Sequence, residues 1–210
     1  DICSPREVGA DYDLIMSLDA SSLDRLGAVY HNGKHAGIPL AVIDHHSTNT
    51  YFGTVNWVEP GCAATAQMVV YLAGALGVSL SPPLAECLLT GLVTDTLCFR
   101  TSNTTPAVLE AAMHLQEAGA NLALIVQRTL NRMAFSTLKL WALVLQDVHL
   151  EDGVLWAAVR RDQLAAAGKA DDESKLNTIF STIVEADISA VFTEKIGKSG
   201  EGAVECSFRA

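Results

Sequence analysis

Six consecutive residues, Ala41-Val42-Ile43-Asp44-His45-His46, narrow the choice of fold more than any other stretch of the chain. Three apolar residues, two of them β-branched, read as the end of a buried strand. One acid and two imidazoles follow at once, and Ser47, Thr48 and Asn49 continue as a loop. Ligand sites in parallel α/β sheets lie just outside the carboxyl ends of the strands. Asp44 could instead cap the next element and leave the histidines as incidental surface residues. Two adjacent histidines at such a position weigh the stretch towards a metal or phosphate site.

The flanking sequence supports a parallel sheet. Asp13–Leu18 reads as a first strand ending at Asp19, residues 22–36 as a helix interrupted by Gly33 and Gly37, and Pro39–Ile43 as the second strand. That order is a βαβ unit with a right-handed crossover. After a loop with Phe52, Gly53 and Trp57, a helix is predicted over 63–76, with Gly77 at its C′ position. Ser81-Pro82-Pro83 opens another helix, carrying Leu84, Cys87, Leu88 and Leu89 towards Gly91. Gly91-Leu92-Val93-Thr94 then forms an apolar approach to a third isolated acid, Asp95, with Phe99 and Arg100 beyond it.

Helices follow over 105–119, 121–131 and 134–147, the last with Leu138, Trp141, Leu145 and Val148 on one face. Past it the character changes. Asp152-Gly153 is a two-residue hairpin turn between His149-Leu150 and a strand over 154–159. A short helix over 162–167, an acidic turn at Asp171-Asp172-Glu173, a helix through Leu176 to Val184, and strands at 188–192 and 204–208 complete the reading. Gly197-Lys198-Ser199-Gly200 is a hairpin loop, lacking the glycine spacing and preceding strand of a phosphate-binding P-loop. The expected fold class is α/β: a parallel-sheet domain with flanking helices over 1–131, a connector helix over 132–148, and a smaller α/β domain over 149–210.

A chain of 210 residues can bury a sizeable core. The net charge of −10 disfavours a broad grip on long nucleic acid, whether duplex or single-stranded, because that needs a basic surface. It leaves room for a small phosphorylated substrate, since bound cations would invert the local field. Five scattered cysteines, none in a C-x-x-C pair, read as free thiols in a reducing cytoplasm. No apolar run approaches the ~18–20 residues of a membrane span, and nothing at the start reads as a signal peptide.

Asp19, Asp44, His45, His46 and Asp95 all fall at or near the ends of buried segments expected to converge on one edge of the sheet. Carboxylate and imidazole ligands without thiolates favour Mn²⁺, Mg²⁺, Fe²⁺ or Zn²⁺. A carboxylate shared by two such ions is an arrangement suited to hydrolysing phosphoesters. The string Asp44-His45-His46, with Asn49 and Phe52-Gly53 after it, resembles the signature of the DHH phosphoesterase superfamily. Gly91–Thr96, with Phe99-Arg100 and Asn103-Thr104-Thr105-Pro106, resembles the fourth motif of the branch that degrades nanoRNA and dephosphorylates pAp (3′-phosphoadenosine 5′-phosphate). Leu18-Asp19 with Arg25-Leu26-Gly27 resembles its second motif.

The resemblance implies that Asp19 bridges two Mn²⁺ ions (Mg²⁺ being the alternative) and that His45 and Asp95 ligate the second ion. It further implies that Asp44 orients the site from behind, that His46 contacts the scissile phosphate, and that Asn49 and Arg100 contact phosphate as well. Ser207-Phe208-Arg209 resembles the serine-x-arginine element of the DHH-associated substrate-binding domain, making Ser207 and Arg209 candidate substrate contacts across an interdomain cleft.

Two family features have no counterpart. Residues 1–18 hold no histidine followed by Asp-x-Asp at a strand end, and no glycine-rich histidine motif follows Arg209. The chain is thus expected to be the central part of a longer protein, with the first metal site short of ligands. The leading expectation is a metal-dependent phosphoesterase acting on short oligonucleotides or pAp. The nearest alternatives are a cyclic-dinucleotide phosphodiesterase and a catalytically dead nucleotide-binding module; pyrophosphatase and RecJ-like exonuclease rank lower. Exposed apolar residues on the 134–148 helix offer one route to a homodimer.

Overall fold

Three parallel strands, β1 (Ile15–Leu18), β2 (Leu40–Asp44) and β3 (Val55–Val58), form a sheet in that spatial order. β2 is central, with Leu40, Val42, Ile43 and Asp44 all buried, which is why its sequence runs apolar without alternation. The register sets Leu18 beside Ile43 and Ile43 beside Trp57, so the chain leaves β1 and β2 at the same edge. The computed structural model describes residues 3–168, 174–197 and 200–209, and the chain divides into two compact units, Asp1–Arg132 and Met133–Ala210.

The link from β1 to β2 departs from the single helix expected over 22–36. It is a 3₁₀ stretch, Leu23–Val29, broken at Gly27 (φ 54°), followed by one helical turn, α1 (Asn32–His35). Three glycines within this short link, at 27, 33 and 37, give too little propensity to propagate a longer helix. β3 lies in what the sequence reads as loop. Gly53 lets the chain enter it: a Cβ there would sit 2.7 Å from Val42 Cγ2 and 2.8 Å from the Leu40 carbonyl oxygen.

Helices α2 (Thr65–Ala75), α3 (Pro82–Asp95), α4 (Pro106–Glu117) and α5 (Leu122–Thr129) complete the first unit. Met68 of α2 packs with Ile43 and Cys62, bordered by Trp57 and Leu72, and so fastens the helix to the sheet. Leu89, Leu92, Leu115 and Ile125 fill the interhelical core, each contributing about 1.5–3 kcal/mol by burial. α3 does not stop near Gly91. It runs unbroken to Asp95, so this acid hangs from the carboxyl end of a helix.

The second unit begins with α6 (Phe135–Val144), whose buried face is Thr137, Leu140 and Val144. Of the residues read as sharing one face, Leu138 and Leu145 are about half exposed, whereas Trp141 and Val148 pack against the core. β4 (Val148–Glu151) and β5 (Val154–Val159) form the expected hairpin, with Asp152 (φ 47°) and Gly153 (φ 78°) both left-handed in the turn. α7 (Arg161–Ala167) and α8 (Ser174–Phe180) lead to β6 (Ile188–Ile196), parallel to β5, and β7 (Gly202–Arg209) closes the sheet antiparallel to β6. The acidic turn at 171–173 lies outside the described residues, as do Lys198 and Ser199 of the β6–β7 loop. Cys3, Cys62, Cys87, Cys98 and Cys206 are free thiols. Among the described residues, no helix is long and apolar enough to cross a membrane.

Candidate metal centre

Parallel pairing brings the residues after β1 and β2 together at one edge of the sheet. Asp19 is the first residue past β1 and donates its backbone N–H to the Ile43 carbonyl (3.0 Å). Its φ of 62° is left-handed, a conformation Asp tolerates better than most residues, at a cost of about 1 kcal/mol. The carboxylate is half exposed and accepts a hydrogen bond from Thr65 Oγ1 (2.8 Å).

His45 is mostly buried, and Nδ1 lies 3.3 Å from the Cys62 carbonyl oxygen. A carbonyl can only accept, so Nδ1 carries the proton and Nε2 of the neutral ring keeps a free lone pair. Nε2 is 3.5 Å from Asp19 Oδ1 and 3.9 Å from Asp95 Oδ2. One donor atom each from Asp19, His45 and His46 lies within 4.8 Å of the others, a carboxylate–imidazole set that fits a divalent cation. Asp95 lies outside that group of three but approaches His45 from α3.

Asp44 stands behind these groups. It is fully buried, with Oδ1 accepting from His46 Nδ1 (2.7 Å) and Oδ2 from Asn49 Nδ2 (2.6 Å). Burial alone would push its carboxyl up, but the Asn49 and His46 hydrogen bonds outweigh burial and hold it below the usual carboxylate range. The same bond raises the imidazole of His46 above its ordinary value. With Nδ1 committed, Nε2 is the nitrogen of the half-exposed His46 ring left for a ligand, and the two imidazoles lie 4.6 Å apart. Asp95 is pushed upward, first by burial and then by the Asp19 charge, with His45 and His46 acting against both.

Asn49 occupies a different place from the phosphate contact expected of it. It is buried, donates to the Ala20 carbonyl (3.1 Å) as well as to Asp44, and accepts from the Tyr51 N–H (2.7 Å). These bonds leave no amide proton for a ligand. Arg100 is exposed in the loop after α3, donating through Nε to the Leu97 carbonyl (2.8 Å). This loop turns through three consecutive left-handed residues, Leu97, Cys98 and Phe99. In the second unit, Ser207 Oγ accepts from Asn177 Nδ2 (3.0 Å), and Asn177 Oδ1 accepts from Ser189 Oγ (2.8 Å); Arg209 ends β7. Two supporting groups, the Thr65 hydroxyl and the Cys62 carbonyl, were not legible in advance. The hydroxyl comes from the first residue of α2 and the carbonyl from the loop just before it, far along the chain from the residues they hold.

Residues 2–92 match the N-terminal domain of the DHH family. The chain is 39% identical over 153 residues to the bifunctional oligoribonuclease and PAP phosphatase NrnA of Thermus thermophilus, covering 73% of this chain and 46% of that protein. It is 28% identical over 143 residues to NrnA of Bacillus subtilis, covering 66% of this chain and 45% of that protein. The chain therefore spans about half the length of these relatives. The crystal structure of an exopolyphosphatase-related protein from Bacteroides fragilis shares the fold, with a TM-score of 0.84 at 21% identity over 96% of this chain and 59% of that one.

Proposed function

We propose that this chain is the metal-binding and substrate-binding part of a phosphoesterase that hydrolyses short oligoribonucleotides, pAp, or both. The observation that carries the reading is the convergence of Asp19, His45 and His46 within 4.8 Å, with Asp95 beside His45 and a buried carboxylate holding His46 from behind. Asp19, His45 and Asp95 would hold Mn²⁺, with Mg²⁺ as the alternative, and Asp19 would be the ligand shared by two ions. Such ions, when bound, supply Lewis acidity and neutralise charge at a phosphoryl centre.

His46 is the residue placed to touch phosphate, because Asp44 fixes its ring and favours its protonated form. A cationic imidazole pairs well with a phosphate oxygen. Arg100 would add a guanidinium from the loop after α3. Asn49 acts through Asp44 as a positioning residue. The second unit would be the DHH-associated substrate-binding domain, with Ser207 and Arg209 as its contacts.

The test is Mn²⁺-dependent hydrolysis of pAp and of a ribodinucleotide, with His45→Ala and Asp95→Ala beside the unaltered protein. Turnover that both substitutions abolish is expected. Nucleotide and metal binding without turnover in the unaltered protein would replace the enzyme with a nucleotide-binding module.

A further inference from the structure

We propose that Thr65 is a positioning residue for the metal centre, acting on the carboxylate of Asp19; the inference rests on the metal-binding reading above. Asp19 is poorly restrained by its own surroundings. Its side chain is half exposed, it follows the end of an edge strand, and only its backbone is tied to β2, through the Ile43 carbonyl. A carboxylate so placed is free to rotate. Thr65, 5% exposed, removes that freedom by donating to Oδ1, the same oxygen that lies 3.5 Å from His45 Nε2.

The use of this hydroxyl is informative. Thr65 is the first residue of α2, where a threonine side chain can serve the open end of the helix. Here the N-cap position is Ala64, without a side-chain cap, while the nearby hydroxyl is spent on Asp19. The turn that carries Thr65 is itself fixed. Ala63 donates its N–H to Gln67 Oε1 (2.9 Å), and buried Gln67 donates through Nε2 to the Tyr71 hydroxyl (2.7 Å). Residue 62 of the same turn offers the carbonyl that sets the His45 tautomer. One rigid helix start thus holds two ligands that arrive from two different strands, which is how partners behind the ligands tune a metal site.

Thr65→Val keeps the shape of the side chain and removes the hydroxyl; Thr65→Ser keeps the hydroxyl. Asp19 remains solvated in both, so protection of the first unit's amides against hydrogen exchange in chelator should be unchanged. The readout is free Mn²⁺ by electron paramagnetic resonance during titration of the 210-residue chain, with His45→Ala reporting that the signal comes from this site. Thr65→Val is expected to bind Mn²⁺ about tenfold more weakly, and Thr65→Ser to restore affinity to within about twofold. Affinity unchanged in Thr65→Val, or Thr65→Ser as weak as Thr65→Val, would overturn the role of Thr65 and leave the metal centre standing. An unaltered protein that binds no Mn²⁺ would overturn the metal reading itself, and this inference with it.

Discussion

Replacing Asp44 by Asn tests whether the buried carboxylate is the anchor of the site. The side chain is fully buried and accepts from Asn49 at 2.6 Å and from His46 at 2.7 Å. Asn is nearly the same shape but has one oxygen, so its NH₂ must face one of these two donors. A hydrogen bond to a charged group contributes about 1.5–3 kcal/mol, and the enclosed Asn49 bond takes that figure. His46 is nearly half exposed, so its share is discounted to about 1 kcal/mol or less. The expected loss is therefore about 1.5–4 kcal/mol.

The sign with pH follows from the two shifts. Asp44 is lowered, so its contribution is present above the ordinary 3.8 and is lost as pH falls through its lower folded value. His46 is raised, so its contribution is complete below 6.5 and is lost as pH rises through its higher folded value. The stability gap between the two proteins should be widest between 3.8 and 6.5 and narrow above 6.5 by the His46 share. Two separate units make global unfolding a poor probe. The assay is hydrogen exchange of the β2 amides with metal chelated, which reads opening of this sheet alone. A gap below about 0.5 kcal/mol between 3.8 and 6.5, or one that does not narrow above 6.5, would refute the argument.

Two further outcomes follow from the same geometry. Asp95→Asn should bind Mn²⁺ more weakly yet be more stable without metal at neutral pH. Burial and the Asp19 charge raise Asp95, so its favourable share exists below 3.8 and is lost as pH rises through the raised folded value. Chelated samples of the two proteins should therefore converge in stability at low pH, and equal stability at neutral pH would contradict the account. Cys62 should resist alkylation by iodoacetamide while Cys3, Cys87 and Cys206 react, because burial first and Glu59 second push its thiol up. Peptide mass spectrometry reads this directly, and labelling of Cys62 at the rate of the exposed thiols would refute it.

What the sequence discloses about the site depends on how locally each residue is specified. Asp44, His45 and His46 follow an apolar run that can only be a buried strand, and that is where they stand. Asp152-Gly153 likewise carries its turn in its own composition. Asp95 is harder to read, because Gly91, Val93, Thr94 and Thr96 look like the end of a helix. The helix continues because Gly91 lets α2 approach, a Cβ there lying 2.9 Å from that of Ala66. The hydroxyls of Thr90 and Thr94 also bond back to the carbonyls of Glu86 and Thr90. Asn49 fits equally well as a ligand contact or as a brace, and only its burial decides. Thr65 has no local signal, since its partner is 46 residues away.

Asp19 and Asp95 share a physical property: each sits badly in the protein alone. Asp19 takes a left-handed backbone, and Asp95 places a partly desolvated carboxylate at the carboxyl end of a helix, where the peptide dipoles already present partial negative charge. The two acids also repel, as the upward push of Asp19 on Asp95 records. Beyond Asp95, three successive left-handed residues carry the chain towards Arg100. A divalent cation between Asp19, His45 and Asp95 would relieve the repulsion and the dipole conflict together. Metal should therefore stabilise the first unit by more than it stabilises Asp95→Asn, a comparison read from the exchange rates of α3 amides with and without Mn²⁺. Equal protection in both proteins would mean that Asp95 takes no part in holding the ion.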